Sequence, residues 1–238
     1  MGELICKDLK AVKGAFTLEV GTLRIAKGEK IAILGENGCG KTTLLQTLAG
    51  VVSAEGDIFH GAARWDRMEP QERALYMAYL PQETEVLFAL SVRELAALTL
   101  HREKLLQGDQ RCAVMNAMEM ADFEDRVYSS LSGGEKRRAM LARVFCRESD
   151  FIFLDEPTSS LDMRHSALAM RYAVSIDAAV VATIHDLNLA VHYFDRFLLM
   201  KHGRILFDKR KQEIDGSELE EVYGIGLARH NDCFVPEW

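Results

Sequence analysis

The sequence predicts an α/β fold, in which a mostly parallel sheet carries an inserted helical segment. Three observations predict this fold. The short apolar run Lys30–Leu34 leads through a glycine-rich stretch into a helical pattern. Two further apolar runs, Phe151–Leu154 and Val180–Ile184, have the length and the flanking residues of strands buried on both faces. Between residues 84 and 148 the patterns are helical, with no comparable strand.

The glycine-rich stretch is followed by a predicted helix over Thr42–Ala49. Leu44, Leu45 and Leu48 fall on one face of this helix, as expected for a helix that packs against a sheet. Gly50 is the expected stop, because glycine readily adopts the left-handed conformation that ends many helices.

The elements after the third strand also follow from the pattern. Leu187–Phe194 is predicted to be a helix. Arg196–Met200 and Arg204–Phe207, joined through His202-Gly203, are predicted to form a β-hairpin. The last stretch is expected to contain one short helix around Ser217–Tyr223.

Three helices are predicted in the inserted segment. Ser91–Leu100 is amphipathic; Ser91 is its expected N-cap, and Glu94 three residues later completes a capping box. Gln110–Met120 and Glu135–Cys146 are the second and third helices. The expected single domain, 1–238, divides into a core at 1–83 and 149–214, a helical subdomain at 84–148 and a C-terminal tail at 215–238.

Charge, cysteine usage and hydropathy exclude several classes of protein. The net charge of −7 argues against a protein that coats nucleic acid, so no nucleic-acid partner is expected. The five cysteines form no Cys-x-x-Cys pair, which disfavours a zinc site or a disulfide framework. The apolar stretches are well under the roughly 20 residues of a membrane span, and the N-terminus lacks the apolar run of a signal peptide. A cytoplasmic protein is expected.

The glycine-rich stretch Gly35–Thr42 matches G-x-x-x-x-G-K-[ST] between a predicted strand and helix. Backbone N–H groups of such a loop surround phosphates, and the start of the helix adds partial positive charge. Lys41 would reach the β- and γ-phosphates, and the Thr42 hydroxyl would bind Mg²⁺. The candidate nucleotide contacts here are Gly35, Glu36, Asn37, Gly38, Cys39, Gly40, Lys41, Thr42 and Thr43.

The carboxylate pair Asp155-Glu156 ends the strand that begins at Phe151. A buried strand of this kind ends at the same sheet edge as the phosphate loop, where ligand sites of α/β proteins form. Asp155 could hold Mg²⁺ through its water shell, and Glu156 could polarise a water that attacks the γ-phosphate. The alternative is a helix N-terminus at which acidic residues favour the dipole.

A Ser-Gly-Gly turn, Leu131–Glu135, opens the predicted helix that precedes the acidic strand. The N-terminus of that helix is a second anion site, one that the chain could offer to a partner. The basic run Lys136-Arg137-Arg138 follows directly. It either raises the potential near a bound polyphosphate or forms a solvated helix face.

In combination, these motifs resemble the ATP-binding cassette (ABC) family of transporter ATPases. The resemblance covers nearly the whole chain and rests on the order Gly35–Thr42, Gln82, Leu131–Glu135, Phe151–Glu156, Asp162 and His185. It implies a P-loop NTPase (RecA-like) core with an inserted α-helical subdomain and an N-terminal antiparallel β region. It also implies that the chain binds ATP and Mg²⁺ and hydrolyses ATP.

The resemblance implies roles for further residues. Gln82 would ligate Mg²⁺ and sense a membrane partner. It would also be a catalytic residue with Glu156 and His185, and His185 would contact the γ-phosphate. Ser132, Gly133, Gly134 and Glu135 would bind the ATP of the facing subunit in a head-to-tail dimer; Glu135 stands where many relatives have Gln. Asp162 belongs to the loop that couples the two sites. Phe16 is the nearest aromatic for stacking on adenine, with a core position as its alternative.

Within the family, two short stretches resemble the metal-chelate importer subgroup, whose cargoes are iron–siderophore, haem or cobalamin. They are Ile184–Ala190 and Leu219–Ile225. The resemblance implies a homodimer on the inner face of the membrane, integral permease subunits and an external substrate-binding protein. The alternatives are another cargo, a soluble ABC ATPase acting in DNA repair or translation, and a nucleotide-sensing module without activity.

Overall fold

The computed structural model describes residues 2–84, 86, 88–98, 101, 104–231 and 233–237. Its strands are β1 Glu3–Lys13, β2 Phe16–Ala26, β3 Lys30–Leu34, β4 Glu55–His60, β5 Ala63–Arg64, β6 Met77–Leu80, β7 Phe151–Asp155, β8 Ala179–Thr183, β9 Arg196–Lys201, β10 Arg204–Arg210, β11 Leu227–His230 and β12 Cys233–Pro236. Its α-helices are α1 Lys41–Leu48, α2 Pro70–Arg73, α3 Val92–Ala96, α4 Gly108–Ala117, α5 Gly133–Phe145, α6 Met163–Ser175, α7 Leu187–Tyr193 and α8 Gly216–Tyr223.

One large sheet has the strand order β5-β4-β1-β2-β10-β9-β3-β8-β7-β6. Its central part is parallel: β3 pairs with β8 and β9, and β7 pairs with β8 and β6. The three strands predicted from apolar runs, β3, β7 and β8, are buried at every position, as expected for strands covered on both faces. Because they run in the same direction, the residues after β3, β6, β7 and β8 meet at one edge.

The N-terminal part of the sheet is antiparallel, as expected. β1 pairs with β2 along almost its whole length and with β4 on its other side. Buried and exposed residues alternate at both ends of β1, which fits a strand with one face on the core. The predicted hairpin of β9 and β10 is confirmed, and β10 joins the antiparallel part to the parallel part through β2. The predicted fold class is therefore confirmed.

The named elements described between residues 84 and 148 are all helical. The predicted capping box of α3 is present, with Ser91 accepting from the Glu94 N–H and Glu94 accepting from the Ser91 N–H. The helix ends at Ala96, earlier than predicted; residues 99 and 100 of the predicted helix lie outside the described residues. Apolar residues of this segment, among them Val92 and Met140, share one buried cluster with Leu154 of the sheet. The helical segment thus packs directly on the sheet, and its division into a subdomain stays a prediction.

After the acidic strand, two parts of the fold were not predicted. Helix α6 follows the acidic strand end, and Asp162 caps it by accepting from the His165 N–H. After the predicted helix α8, the chain continues into a small hairpin of β11 and β12. Among the described residues, no helix is both long enough and apolar enough to cross a membrane.

Candidate nucleotide site

The phosphate loop contains two backbone positions at which only glycine fits. Gly35 has φ 146°, and a β-carbon there would lie 2.3 Å from the Met200 carbonyl oxygen. Gly40 has φ 108°, and a β-carbon there would lie 2.6 Å from Cζ of Phe16. Both positions combine a conformation that side chains rarely adopt with a lack of space, so the spacing of the glycines follows from the shape of the loop.

Lys41 is the first residue of α1 and is buried. Its Nζ donates to the Gly35 carbonyl at 2.8 Å and to the Glu36 carbonyl at 3.0 Å. The ammonium group therefore lies inside the loop. Phosphate oxygens are stronger acceptors for a cation than carbonyls, so a polyphosphate in the loop can draw the ammonium group to itself.

Asp155 ends β7 and has no exposed surface. Its Oδ1 accepts from the Thr42 hydroxyl at 3.1 Å and from the Thr183 hydroxyl at 2.8 Å. Its Oδ2 is buried without a hydrogen-bond partner. Burial raises the pKa of Asp155, because the charged carboxylate is poorly solvated.

This donor set fits Mg²⁺. A buried carboxylate oxygen without a partner is costly unless a cation or a water satisfies it. Carboxylate and hydroxyl oxygens are the ligands that Mg²⁺ takes in nucleotide sites, with water completing its shell. Thr42 and Asp155 can therefore hold the ion.

Glu156 follows Asp155 with φ 47°, an uncommon conformation for a residue with a side chain. Its N–H donates to the Thr183 hydroxyl at 2.7 Å, which fixes the backbone at the end of the strand. Its Oε1 lies 2.7 Å from Nε2 of His185, which follows the adjacent strand β8. The Glu156 side chain is mostly shielded, whereas that of His185 is 45% exposed. The contact with His185 therefore fixes the orientation of the Glu156 carboxylate.

Arg137 corrects one of the two interpretations of the basic run at the start of α5. Its guanidinium is buried rather than solvated, and burial lowers its pKa. It donates to the carbonyls of Pro81, Gln82, Asp155, Glu156 and Pro157. One side chain therefore ties the ends of β6 and β7 together directly behind the candidate catalytic carboxylate.

Arg138 is also buried and donates to the carbonyls of Met118 and Glu119. The expectation of a solvated basic face is therefore wrong for both arginines. Their cations bind backbone carbonyls, so they do not simply raise the potential around a polyphosphate. The helical spacing of the sequence does indicate that Arg137 is buried, although this was not predicted. Arg137 shares a helix face with Leu141 and Val144, at i+4 and i+7.

A cleft of about 450 Å³ brings most of the predicted residues together at the sheet edge. The described residues that line it are Lys13, Phe16, Asn37, Gly38, Gly40, Lys41, Thr42, Thr43, Gln82, Glu156 and His185. Asp155 lies just behind this lining, bonded to Thr42. The cleft therefore combines a candidate phosphate loop, a candidate cation site and a carboxylate–histidine pair.

The Ser-Gly-Gly turn is not part of this lining. Ser132 caps α5, and Glu135 completes the capping box by accepting from the Ser132 N–H at 2.7 Å. Hydrogen bonds with Ser132 lower the pKa of Glu135, and the bond from the Ser132 N–H has the largest effect. Ser132 and Gly133 are exposed, and a β-carbon at Gly133 would meet open space. The turn thus faces outward, away from the cleft of its own chain.

Asp162 also lies outside the cleft lining. Its carboxylate accepts from the His165 N–H at 2.8 Å, and His165 Nδ1 lies 2.9 Å from it. In the same loop, the Ser160 carbonyl oxygen would be 3.1 Å from a β-carbon at Gly134. The loop before α6 and the Ser-Gly-Gly turn therefore form one continuous surface of the chain.

Phe16 lies at the cleft, packed over Gly40 and next to Gly203, and is half-buried. Its ring is thus available to a base and also supports the loop. Two further residues, one in the cleft lining and one buried behind it, were not predicted. Lys13 lines the cleft, and nothing in its sequence context marked it. Thr183 binds both Asp155 and Glu156, and its signal was a polar residue at the end of an otherwise apolar strand.

Comparisons with known proteins agree with this geometry. The family profile described as ABC transporter matches residues 18–159. A hemin import ATP-binding protein, HmuV, of Vibrio anguillarum is 35% identical over 229 residues, covering 90% of this chain and 88% of that protein. The HmuV of Mesorhizobium japonicum is 38% identical over 217 residues, covering 84% and 82%.

Solved structures agree on the fold. One described as an inward-facing, metal-chelate type ABC transporter superposes with a TM-score of 0.77 at 22% identity, covering 100% of this chain and 98% of that chain. The dimeric ABC cassette MJ0796 superposes with a TM-score of 0.76 at 19% identity, covering 89% and 100%. From the family profile and the relatives above 30% identity, the chain belongs to the ABC transporter family and is one of its ATP-binding ATPases.

Proposed function

We propose that this chain is the ATPase subunit of an ABC importer for haem or another iron chelate. The observation that carries the proposal is the set of relatives at 35–39% identity, each named a hemin import ATP-binding protein, together with an intact candidate site. Import of cobalamin shares the subgroup but has no support from these names. In the proposed assembly, two copies bind permease subunits at the inner face of the membrane, and an external binding protein delivers the cargo.

The candidate site supports a hydrolysis step with distinct roles. Lys41 and the loop N–H groups bind the β- and γ-phosphates, and Phe16 contacts the base. Glu156 orients a water and takes its proton as that water attacks the γ-phosphate, while His185 holds the carboxylate in place. The bond from the γ-phosphorus to the oxygen bridging it to the β-phosphate breaks, and ADP and phosphate leave. Thr42, Asp155 and Gln82 would hold Mg²⁺, which would supply charge neutralisation at the phosphates.

The outward-facing Ser-Gly-Gly turn supports a head-to-tail dimer. Ser132 and the N-terminus of α5 form a donor surface for a phosphate, yet they lie outside the cleft that contains Lys41 of the same chain. A facing copy would bring this surface to the ATP held by its partner. Binding of ATP would then join the two copies, and loss of the γ-phosphate would release them.

A growth assay tests the importer proposal. A strain deleted for this gene and supplied with haem as its only iron source should grow when it carries the parental chain. It should fail to grow with Lys41→Ala, because that chain lacks the cation for the phosphates. Growth of the deletion strain on haem would contradict the haem proposal; a growth defect confined to cobalamin would point to that cargo instead. Increased sensitivity to DNA damage would favour the soluble alternative.

We further propose that the permease binds a groove beside the sheet edge formed by β6. The groove measures about 390 Å³, and its lining includes Val51, Met77, Leu98 and Arg143. Leu98 is 54% exposed there, and Arg143 Nε is buried without a hydrogen-bond partner. An amphipathic helix of the permease with a terminal carbonyl or carboxylate would cover the apolar residues and satisfy the arginine.

Phe88 is another exposed apolar residue, with 75% of its surface accessible. It lies six residues after Gln82, which is expected to sense the membrane partner. We expect Phe88→Asp or Leu98→Asp to reduce co-purification of the permease about tenfold or more, since a carboxylate would be desolvated in an apolar contact. Leu206→Asp, on an exposed strand elsewhere, is the matched control. ATPase activity of the isolated variants should remain parental. Full retention of the permease by both variants would place the interface elsewhere.

A further inference from the structure

Two residues in the subgroup-like stretches have no role in the reaction described above. The first is Tyr223, at the end of α8. Its hydroxyl accepts a hydrogen bond from the N–H of Gly35, the first glycine of the phosphate loop, at 3.1 Å. Burial raises the pKa of Tyr223 to about 12, so the hydroxyl is uncharged throughout the physiological range.

The hydrogen bond to Tyr223 comes from the residue at which the phosphate loop begins. The carbonyl of Gly35 is held by Lys41 Nζ, so Tyr223 and Lys41 together satisfy both polar groups of this residue. When a phosphate in the loop draws Lys41 to itself, the hydrogen bond from Lys41 to that carbonyl weakens. The hydrogen bond from the Gly35 N–H to Tyr223 then still holds the start of the loop against α8.

Helix α8 is well anchored for this purpose. Leu219 and Val222 are fully buried in the main cluster. Glu218 forms an ion pair with Lys209 of β10 at 2.8 Å, and the Glu221 carbonyl accepts from Lys201 of β9 at 2.5 Å. These contacts fix α8 against the sheet, and α8 in turn fixes the position of the Tyr223 hydroxyl.

The second residue is Asn188, in the first turn of α7 and three residues after His185. Its Oδ1 accepts from the Phe234 N–H at 2.8 Å, and its Nδ2 donates to the Phe234 carbonyl at 3.2 Å. Phe234 belongs to β12 and is 2% exposed. The amide of Asn188 thus pairs with the terminal hairpin as a neighbouring strand would, and fixes the helix that begins behind His185.

We propose that α8 and the β11–β12 hairpin position the ATP site at two separate points. Tyr223 is a positioning residue for the phosphate loop and acts on ATP binding. Asn188 is a positioning residue for the segment that carries His185 and acts on hydrolysis. The proposal concerns the ATPase itself and is independent of the cargo, so it can be tested on the purified chain without permease or haem.

Tyr223→Phe removes the acceptor for Gly35 and keeps the ring. We expect the Kd and the KM for ATP to rise about fivefold, the equivalent of one net hydrogen bond, with kcat within about twofold of the parental value. Tyr172→Phe, in α6, is the matched control. If the variant has the parental Kd for ATP, the role of Tyr223 is overturned, even if its thermal midpoint is lower. If the variant is insoluble, amide exchange of Gly35 in the parental chain decides, since fast exchange would overturn the role as well.

Asn188→Ala removes both bonds to Phe234. We expect kcat to fall about fivefold while the Kd for ATP stays within about twofold, the opposite split from Tyr223→Phe. Asn188→Asp still accepts from the Phe234 N–H but turns an anionic oxygen toward the Phe234 carbonyl, so its kcat should fall as well. Asn116→Ala, in α4, is the matched control. A parental kcat for Asn188→Ala, or equal effects of both variants on Kd and kcat, would overturn the proposal.

Discussion

Replacing Glu156 with Gln is expected to reduce ATP turnover at least about a hundredfold and to leave ATP binding intact. The amide keeps the size of the side chain, and the backbone bond of residue 156 to the Thr183 hydroxyl is unaffected. The amide cannot accept the proton of the attacking water, so ATP should remain bound without being hydrolysed. The trapped state should be visible as an ATP-dependent dimer in size-exclusion chromatography with light scattering.

The matched control for this prediction is Glu148→Gln, an exposed carboxylate outside the cleft lining. It should hydrolyse ATP at the parental rate and form no stable dimer. Parental turnover in Glu156→Gln would show that another group activates the water. His185, which lies 2.7 Å from Glu156, would then be the first residue to examine.

Ser132→Arg should abolish ATP hydrolysis and leave the affinity of the single chain for ATP unchanged. Ser132 is exposed and lies outside the cleft of its own chain, so a bulky cation there should not disturb that cleft. In the proposed dimer it would meet the ATP of the facing copy and prevent that one ATP site from closing. The measurements are the ATP Kd by equilibrium binding and the rate of phosphate release.

Loss of the helix cap is the competing explanation for such an effect, and it costs about 1 kcal/mol. The chain offers a matched control, because Ser91 caps α3 with the same Ser–Glu box. Ser91→Arg should lower the thermal midpoint by a similar amount and retain hydrolysis. If the two variants lose activity equally, the effect of Ser132 is on stability alone.

Much of the site could be predicted from the sequence because its parts are local. The phosphate loop is a single continuous segment, and its glycines are required by close contacts of Gly35 and Gly40. Asp155 and His185 could be placed at the same edge because parallel strands deliver their carboxyl ends together. The fold class followed from the same runs of buried residues, with boundaries accurate to a few positions.

The remaining features depend on contacts between segments distant in sequence. Arg137 was expected to be solvated or near a polyphosphate, yet it binds carbonyls at the ends of two strands that only the fold brings within reach. Tyr223 and Asn188 resembled a subgroup pattern, but the residues they bind lie 188 and 46 positions away. In a basic run, burial is indicated only by the helical spacing of an arginine relative to apolar residues. Because the residues are charged, the sequence favoured a solvated face instead.

The central claim is that a complete ATPase site needs Lys41 of one copy and Ser132 of another. Mixing Lys41→Ala chains with Ser132→Arg chains tests it most directly, because each variant should be inactive alone. In a mixed dimer, the Ser132→Arg copy supplies Lys41 and the Lys41→Ala copy supplies Ser132, so one of its two sites is complete. We predict recovery of about a quarter of the parental rate at equal concentrations, since about half of the dimers would be mixed. A mixture no more active than either variant alone would contradict the claim.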